Sequence, residues 1–309
     1  MTGPIKTAMG NTAYELISFE SLLTEQSPQF DAAFVSRDVT STSTKHELTA
    51  HTQVRYELLL RAVGLRWVHI HSAGADRPVY QQLLARNVNI TTSSGANAKV
   101  VAQSAVGGLL ALGRHLPQLF KAQQSHLWSP RLESNLPIDL QDQTALIVGW
   151  GPIGQTIAKT LSALGIKAIA VTTQTPANRE TQTVCFEEIY SALPKVNWLI
   201  LACPLTKKTN RLVDEFFLSA LPKGAGIVNV ARGEVIVQDA LIAALRSGHI
   251  GSAYLDVFEH EPLEAESPLW DFANVIISPH SAGHSDGNEK RVEQLFLDNL
   301  RNRLQSWVN

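Results

Sequence analysis

Three glycines stand at GxGxxG spacing in Gly149-Trp150-Gly151-Pro152-Ile153-Gly154, and their flanks restrict the fold more than any other feature of the chain. The apolar run Ala145–Val148 reads as a strand entering this loop, and Ile157, Ala158, Leu161 and Leu164 recur at helical spacing after it. Gly149 permits the tight turn, Gly151 lets a ligand approach the backbone, and Gly154 lets helix and strand pack closely. Exposed amides and the helix dipole at such a junction bind a diphosphate, so the expected ligand is a dinucleotide cradled by these glycines, Pro152 and Ile153.

A second strand, Ile166–Val171, ends where an NAD site places an acid for the adenine ribose hydroxyls. Here stand Thr172, Thr173 and Gln174, and no Asp or Glu occurs from Gln155 through Arg179. A carboxylate there would repel a 2′-phosphate by up to about 4 kcal/mol at 4 Å and an effective dielectric of 20. Its absence predicts NADP(H) in preference to NAD(H), with Thr172 and Thr173 at the ribose and Arg179 or Lys167 supplying positive charge.

The rest of the chain repeats the strand-then-helix pattern, which predicts α/β architecture with parallel sheets. Early apolar runs are Tyr14–Ile17, Ala32–Val35, Val68–Ile70 and Val88–Ile90; later ones are Ala168–Val171, Trp198–Ala202, Ile227–Val230, Tyr254–Val257 and Val275–Ile277. Ser129–Thr144 shows neither period and reads as a connection. Asp214 is placed to cap one helix and Asp239 another that Gly248 ends. The last 24 residues read as one helix with Val292, Leu295, Phe296, Leu300 and Leu304 on its packing face.

At 309 residues the chain has room for about two domains. A formal charge of −2 without a basic block argues against nucleic acid. The apolar runs fall far short of the about 20 residues a membrane span needs. Two cysteines, Cys185 and Cys203, imply neither a disulfide framework nor a thiolate metal site. No secretory signal is visible, so a cytoplasmic protein without a metal is expected.

Three chemically capable residues follow predicted strands, at the end where open α/β sheets bind ligands. Arg232 follows Ile227–Val230, Glu261 follows Tyr254–Val257, and His280 follows Val275–Ile277. Together they suit hydride transfer to a 2-keto acid. An arginine fork binds the carboxylate and carbonyl, a histidine titrating near neutrality protonates the developing alkoxide, and a carboxylate orients and charges that histidine.

These residues lie in segments that resemble the D-isomer-specific 2-hydroxyacid dehydrogenases, from about Trp67 to Trp307. The segments are Gly149–Gly154; Cys203-Pro204-Leu205-Thr206; Val228-Asn229-Val230-Ala231-Arg232-Gly233; Leu255-Asp256-Val257-Phe258-Glu259-His260-Glu261-Pro262; and Ser278-Pro279-His280. The resemblance implies that Arg232 binds substrate, Glu261 supports the histidine and His280 is the general acid/base. It places Asp256 near the nicotinamide carboxamide, and Cys203, Pro204, Leu205, Thr209, Val230, Ala231 and His280 along the cofactor. His71-Ser72-Ala73-Gly74-Ala75-Asp76 is similar to the family loop whose amides receive the substrate carboxylate, which adds Ala73 and Gly74 as substrate-binding candidates.

Pro262-Leu263 through Trp270 resembles the glyoxylate and hydroxypyruvate reductase branch, implying reduction of a small 2-keto acid to the D-2-hydroxy acid. The resemblance also implies a Rossmann domain over residues 97–283 inserted into a smaller flavodoxin-like substrate domain formed by 1–96 and 284–309, with a hinge at the two crossings. It implies a homodimer, with Trp128 on an arm reaching the partner subunit. Gln103 stands where the family often has an acid, and the N-terminal region is short. The alternatives are a cofactor-sensing, corepressor-like interaction protein on the same fold, or a dehydrogenase of another small acid such as phosphite or formate. Against these stand Ala73 where phosphite enzymes place a lysine, and Glu261 where formate enzymes place a glutamine.

Overall fold

The computed structural model describes residues 2–130, 136–173 and 181–307. The chain divides into two compact units, Met1–Asn97 with Ser285–Asn309, and Ala98–His284.

The first unit is a parallel sheet of β1 (Ala32–Val35), β2 (Trp67–Ile70) and β3 (Asn89–Thr92), in that spatial order. Around it lie α1 (Thr2–Met9), α2 (Phe19–Leu22), α3 (Arg37–Thr40), α4 (Ala50–Arg61), α5 (Pro78–Ala85) and α12 (Asn288–Trp307). The expected strand at Tyr14–Ile17 does not form. Tyr14, Leu16 and Ile17 are 39%, 49% and 41% exposed, because three apolar residues around Glu15 without a neighbouring strand have no ladder to join. On α12 the stripe packs as its period requires, with Phe296, Leu297 and Leu300 buried against Ile5 and Trp67.

His69 lies at the centre of β2, fully buried among Trp67, Phe34 and Phe296. Ser93 Oγ donates to the Ile70 carbonyl, so toward His69 it can only accept, while Thr91 Oγ1, which accepts from Trp67 Nε1, still has its proton to donate. The network assigns the proton of His69 to Nε2, donating to Ser93 Oγ at 3.1 Å, while Nδ1 accepts from Thr91 Oγ1 at 2.8 Å. A second proton would end the role of Nδ1 as acceptor from Thr91. Burial, helped by His71, lowers the His69 pKa from 6.5 to about 4. The unfolded chain therefore binds a proton at a pH where the folded chain does not, so stability present above pH 6.5 is lost as pH falls toward 4. The expected loss is about 3 kcal/mol between these limits. Denaturant titrations at both ends should show it, and His69→Gln, which cannot titrate, should show less; equal pH dependence in the variant would remove His69 as the cause.

The second unit holds α6 (Ala98–Gly113), α7 (Leu116–Gln124), α8 (Pro152–Ala163), α9 (Ile189–Ala192), α10 (Glu215–Ala220) and α11 (Gln238–Arg246). Its seven parallel strands run in the order β10-β9-β8-β7-β4-β5-β6. These are β4 (Thr144–Val148), β5 (Lys167–Thr172), β6 (Gln182–Cys185), β7 (Trp198–Leu201), β8 (Ala225–Asn229), β9 (Ile250–Leu255) and β10 (Val275–Ile277). Alternate residues feed cores on opposite faces: Leu146 and Val148 pack with Leu199 and Ile227, while Ala145 and Ile147 pack with Leu109 and Ile157. The order reverses beside β4, which makes the carboxyl ends of β4 and β7 the crevice for a ligand.

Asp214 caps α10, accepting from Phe217 N at 2.8 Å. Asp239 does not cap α11; Val237 is its N-cap and Asp239 sits in the first turn, where its charge still favours the dipole. The edge strand β6 was not foreseen, since Gln182-Thr183-Val184-Cys185 carries only a short, partly polar run.

Candidate active site

The Gly149–Gly154 loop joins β4 to α8, with Gly151 as N-cap and Pro152 and Ile153 in the first turn. Gly149 has φ of +108°, and a Cβ there would lie 2.6 Å from the Ala202 carbonyl oxygen, so only glycine lets this turn pass beside the end of β7. A Cβ on Gly154 would overlap the Gly149 carbonyl. At Gly151 a Cβ would meet nothing within 4 Å, which leaves the helix N-terminus open to an approaching phosphate. The loop thus fits the diphosphate of a nicotinamide dinucleotide.

Thr172 closes β5 and is buried, with exposed Thr173 next to it. Lys167 lies at the opposite, amino end of β5, where it pairs with Asp142 at 3.2 Å. It is corrected as a source of positive charge at the ribose, because a six-residue strand separates it from Thr172. Gln174 and Arg179 lie outside the described residues.

Cys203, Pro204 and Leu205 follow β7. The Pro204 carbonyl accepts from Thr209 Oγ1 at 2.7 Å, and that hydroxyl also accepts from Thr206 N, which fixes the loop. Burial raises the Cys203 thiol to about 11, leaving it a neutral wall rather than a nucleophile.

Arg232, Glu261 and His280 come together beyond β8, β9 and β10. Val230 and Ala231, both buried, lead from β8 to half-buried Arg232. A Cβ on Gly233 would overlap the Phe258 backbone, so the tight approach of the arginine turn to the Phe258–Glu261 loop requires that glycine. Glu261 Oε1 accepts from Phe258 N at 3.2 Å, and Oε2 lies 2.8 Å from His280 Nδ1. With Nδ1 donating to Glu261, Nε2 is the ring atom directed elsewhere; the His280 side chain is 52% exposed and that of Glu261 14%.

Asp256 is buried, and its Oδ1 accepts from Ser278 Oγ, Ser281 N and Ala282 N at 2.6, 2.8 and 2.9 Å. Its carbonyl accepts from His280 N at 2.8 Å, holding His280 at φ of +53°. In the first unit, Ala73 and Gly74 lie on the loop after β2, where Ser72 Oγ donates to the Gly74 carbonyl.

Burial opposes charge on both members of the pair, yet the pKa of each moves in the direction that favours its ionic form. Desolvation acts to raise Glu261, but the hydrogen bond and charge of His280, the Phe258 amide and Arg232 leave its pKa below the ordinary value. Desolvation likewise acts to lower His280, and Glu261 overrides it and raises the pKa, with Arg232 pulling down and Asp256 up. A protonated imidazole is lost as pH rises through its own raised pKa. Glu261→Gln removes the charge that raises it, so any activity needing protonated His280 should fail at lower pH than in the wild type. A pH–rate profile whose alkaline limb stays in place would show that Glu261 does not set this titration.

A cavity of about 330 Å³ lies at the opposite, amino ends of the strands, among Gln118, Trp198, Lys223 and Asn274. It contains none of these groups. Sequence reasoning also passed over Asn229, whose buried side chain bonds Ala231 and Arg232; its only signal was a carboxamide inside an apolar strand.

Residues 106–282 match the family described as D-isomer specific 2-hydroxyacid dehydrogenase, NAD binding domain. The chain is similar to a glyoxylate reductase of Thermofilum pendens, 32% identical over 79% of this chain and 73% of that protein. It is also similar to an (S)-sulfolactate dehydrogenase of Chromohalobacter salexigens, 30% identical over 82% of each. Among solved structures, a D-isomer specific 2-hydroxyacid dehydrogenase from Xanthobacter autotrophicus Py2, in complex with NADPH and MES, is 31% identical. It superposes with a TM-score of 0.61 over 68% of this chain and 84% of that one.

Proposed function

Since the chain belongs to the D-isomer-specific 2-hydroxyacid dehydrogenases, we propose that it reduces a small 2-keto acid of the glyoxylate or hydroxypyruvate type, using NADPH in preference to NADH. The observation that carries this reading is the Glu261–His280 pair at 2.8 Å with Arg232 close enough to shift both pKa values. The nicotinamide, when bound, supplies the hydride. Arg232 holds the substrate carboxylate and carbonyl through charge-assisted bonds. His280 gives its Nε2 proton to the carbonyl oxygen as charge develops there, and Glu261 stabilises the imidazolium before the transfer and orients the ring after it. Asp256, with Oδ1 already engaged, offers Oδ2 to the nicotinamide carboxamide, while Cys203, Pro204, Leu205, Thr209, Val230 and Ala231 line the cofactor. Ala73 and Gly74 are the first unit's candidates for anion binding through their amides.

The NADP(H) preference rests on Thr172 and Thr173 standing where an acid would repel a 2′-phosphate, and the similar Xanthobacter enzyme was solved with NADPH. The test is a kinetic matrix of NADPH and NADH against glyoxylate, hydroxypyruvate, pyruvate and phenylpyruvate. Highest kcat/KM is expected for NADPH with glyoxylate or hydroxypyruvate. Equal rates with both cofactors would overturn the preference, and no turnover with any keto acid would overturn the activity.

The proposed assembly is a homodimer. Helix α7 buries none of its residues, Phe120 and Leu127 are 57% and 65% exposed, and Trp128 is 97% exposed. Large apolar side chains left exposed on this helix and just after it suit an interaction surface. Sedimentation should give a dimer that Phe120→Asp shifts toward monomer; a monomeric wild type would refute the assembly.

A further inference from the structure

Asn229 ends β8 with its side chain turned into the protein, 1% exposed. A carboxamide shut away from water needs partners at both ends. Oδ1 accepts from Ala231 N at 3.0 Å, and Nδ2 donates to the Arg232 carbonyl at 3.1 Å. One side chain therefore grips the backbone on both sides of the Arg232 Cα.

The same residue is tied to the histidine loop. Its carbonyl accepts from Asp256 N at 3.0 Å, joining the ends of β8 and β9. From there Asp256 Oδ1 clamps Ser278, Ser281 and Ala282, the residues flanking His280. The arginine turn and the histidine loop thus hang from neighbouring strand ends, and the Asn229 carboxamide is the side chain that locks the arginine turn to that frame. We infer that Asn229 is a positioning residue, whose carboxamide sets the Arg232 guanidinium at the spacing from His280 that a 2-keto acid requires. The inference rests on the proposed roles of Arg232 and His280.

Asn229→Ser tests it in the full chain. The hydroxyl is neutral and too short to bridge both backbone groups, so the arginine turn loses its brace without gaining a charge. Misplacement of about 1 Å costs on the order of 100-fold, which is the expected loss in kcat/KM for glyoxylate with NADPH. NADPH affinity, read by fluorescence, should fall much less than kcat/KM: Ala231 N loses its bond to Asn229, but the Gly149–Gly154 loop that would hold the diphosphate keeps its own frame.

The second readout separates positioning from general destabilisation. Arg232 pulls the His280 pKa down, so a guanidinium that drifts away lets it rise. The alkaline limb of the reduction profile should then move to higher pH, a shift that loss of fold stability alone does not produce. If Asn229→Ser does not fold, Asn229→Ala is assayed in the same two ways. Arg232→Gln is the control. An inactive R232Q together with an unchanged kcat/KM and unmoved limb in N229S overturns this inference alone. A fully active R232Q, or a wild type without turnover on any keto acid, overturns the underlying reading and the inference with it.

Discussion

Replacing His280 by alanine should lower turnover of a 2-keto acid by about 10²–10⁴-fold while leaving NADPH binding close to wild type. The imidazole is the group proposed to protonate the carbonyl oxygen, and its Nδ1 is already committed to Glu261 at 2.8 Å. Its loop is held by the backbone bond from His280 N to the Asp256 carbonyl and by Asp256 Oδ1, neither of which needs the imidazole. The variant should therefore fold and bind cofactor. Steady-state rates beside a fluorescence titration, with Trp150 in the phosphate loop as a reporter, check both halves. Undiminished turnover would remove His280 from the chemistry; lost NADPH binding would show a larger part in the cofactor site than the geometry implies.

Gly149→Ala should act at the other end of the cofactor. The backbone at +108° is strained for any residue with a Cβ, by about 1–3 kcal/mol, and the added methyl would press on Ala202 and Cys203 backbone atoms 2.6–2.7 Å away. Relief requires the turn to leave the end of β7, which spoils the amide cradle at the helix N-terminus. The expected result is a lower melting temperature and a loss of NADPH affinity of about 5- to 150-fold, which is that strain of about 1–3 kcal/mol expressed as a binding ratio. Wild-type affinity in this variant would show that the phosphate contacts lie elsewhere.

Several of these elements were legible because the pattern and the physics are local. Strand, glycine loop and helix around Gly149 are contiguous, and Asp214 caps the turn that follows it directly in the chain. What failed was what depends on a neighbour. Tyr14–Ile17 has the apolar content of a strand but no partner, whereas Gln182–Cys185 lacks that content and is recruited by the edge of β5. Lys167 was near Thr172 in sequence, yet a parallel strand carries the two to opposite ends of the sheet.

The candidate site divides in the same way. The sequence alone determined which chemical groups are present and in what order they follow strands, because residue type and hydrophobic period are properties of short segments. Only the tertiary structure decided that Glu261 and His280, 19 residues apart, meet at 2.8 Å, and that Asn229 turns inward to bind the Arg232 backbone. Those facts come from the register of parallel strands. Register brings the ends of β8, β9 and β10 side by side, and the desolvation and charge that tune His280 exist only once they are adjacent.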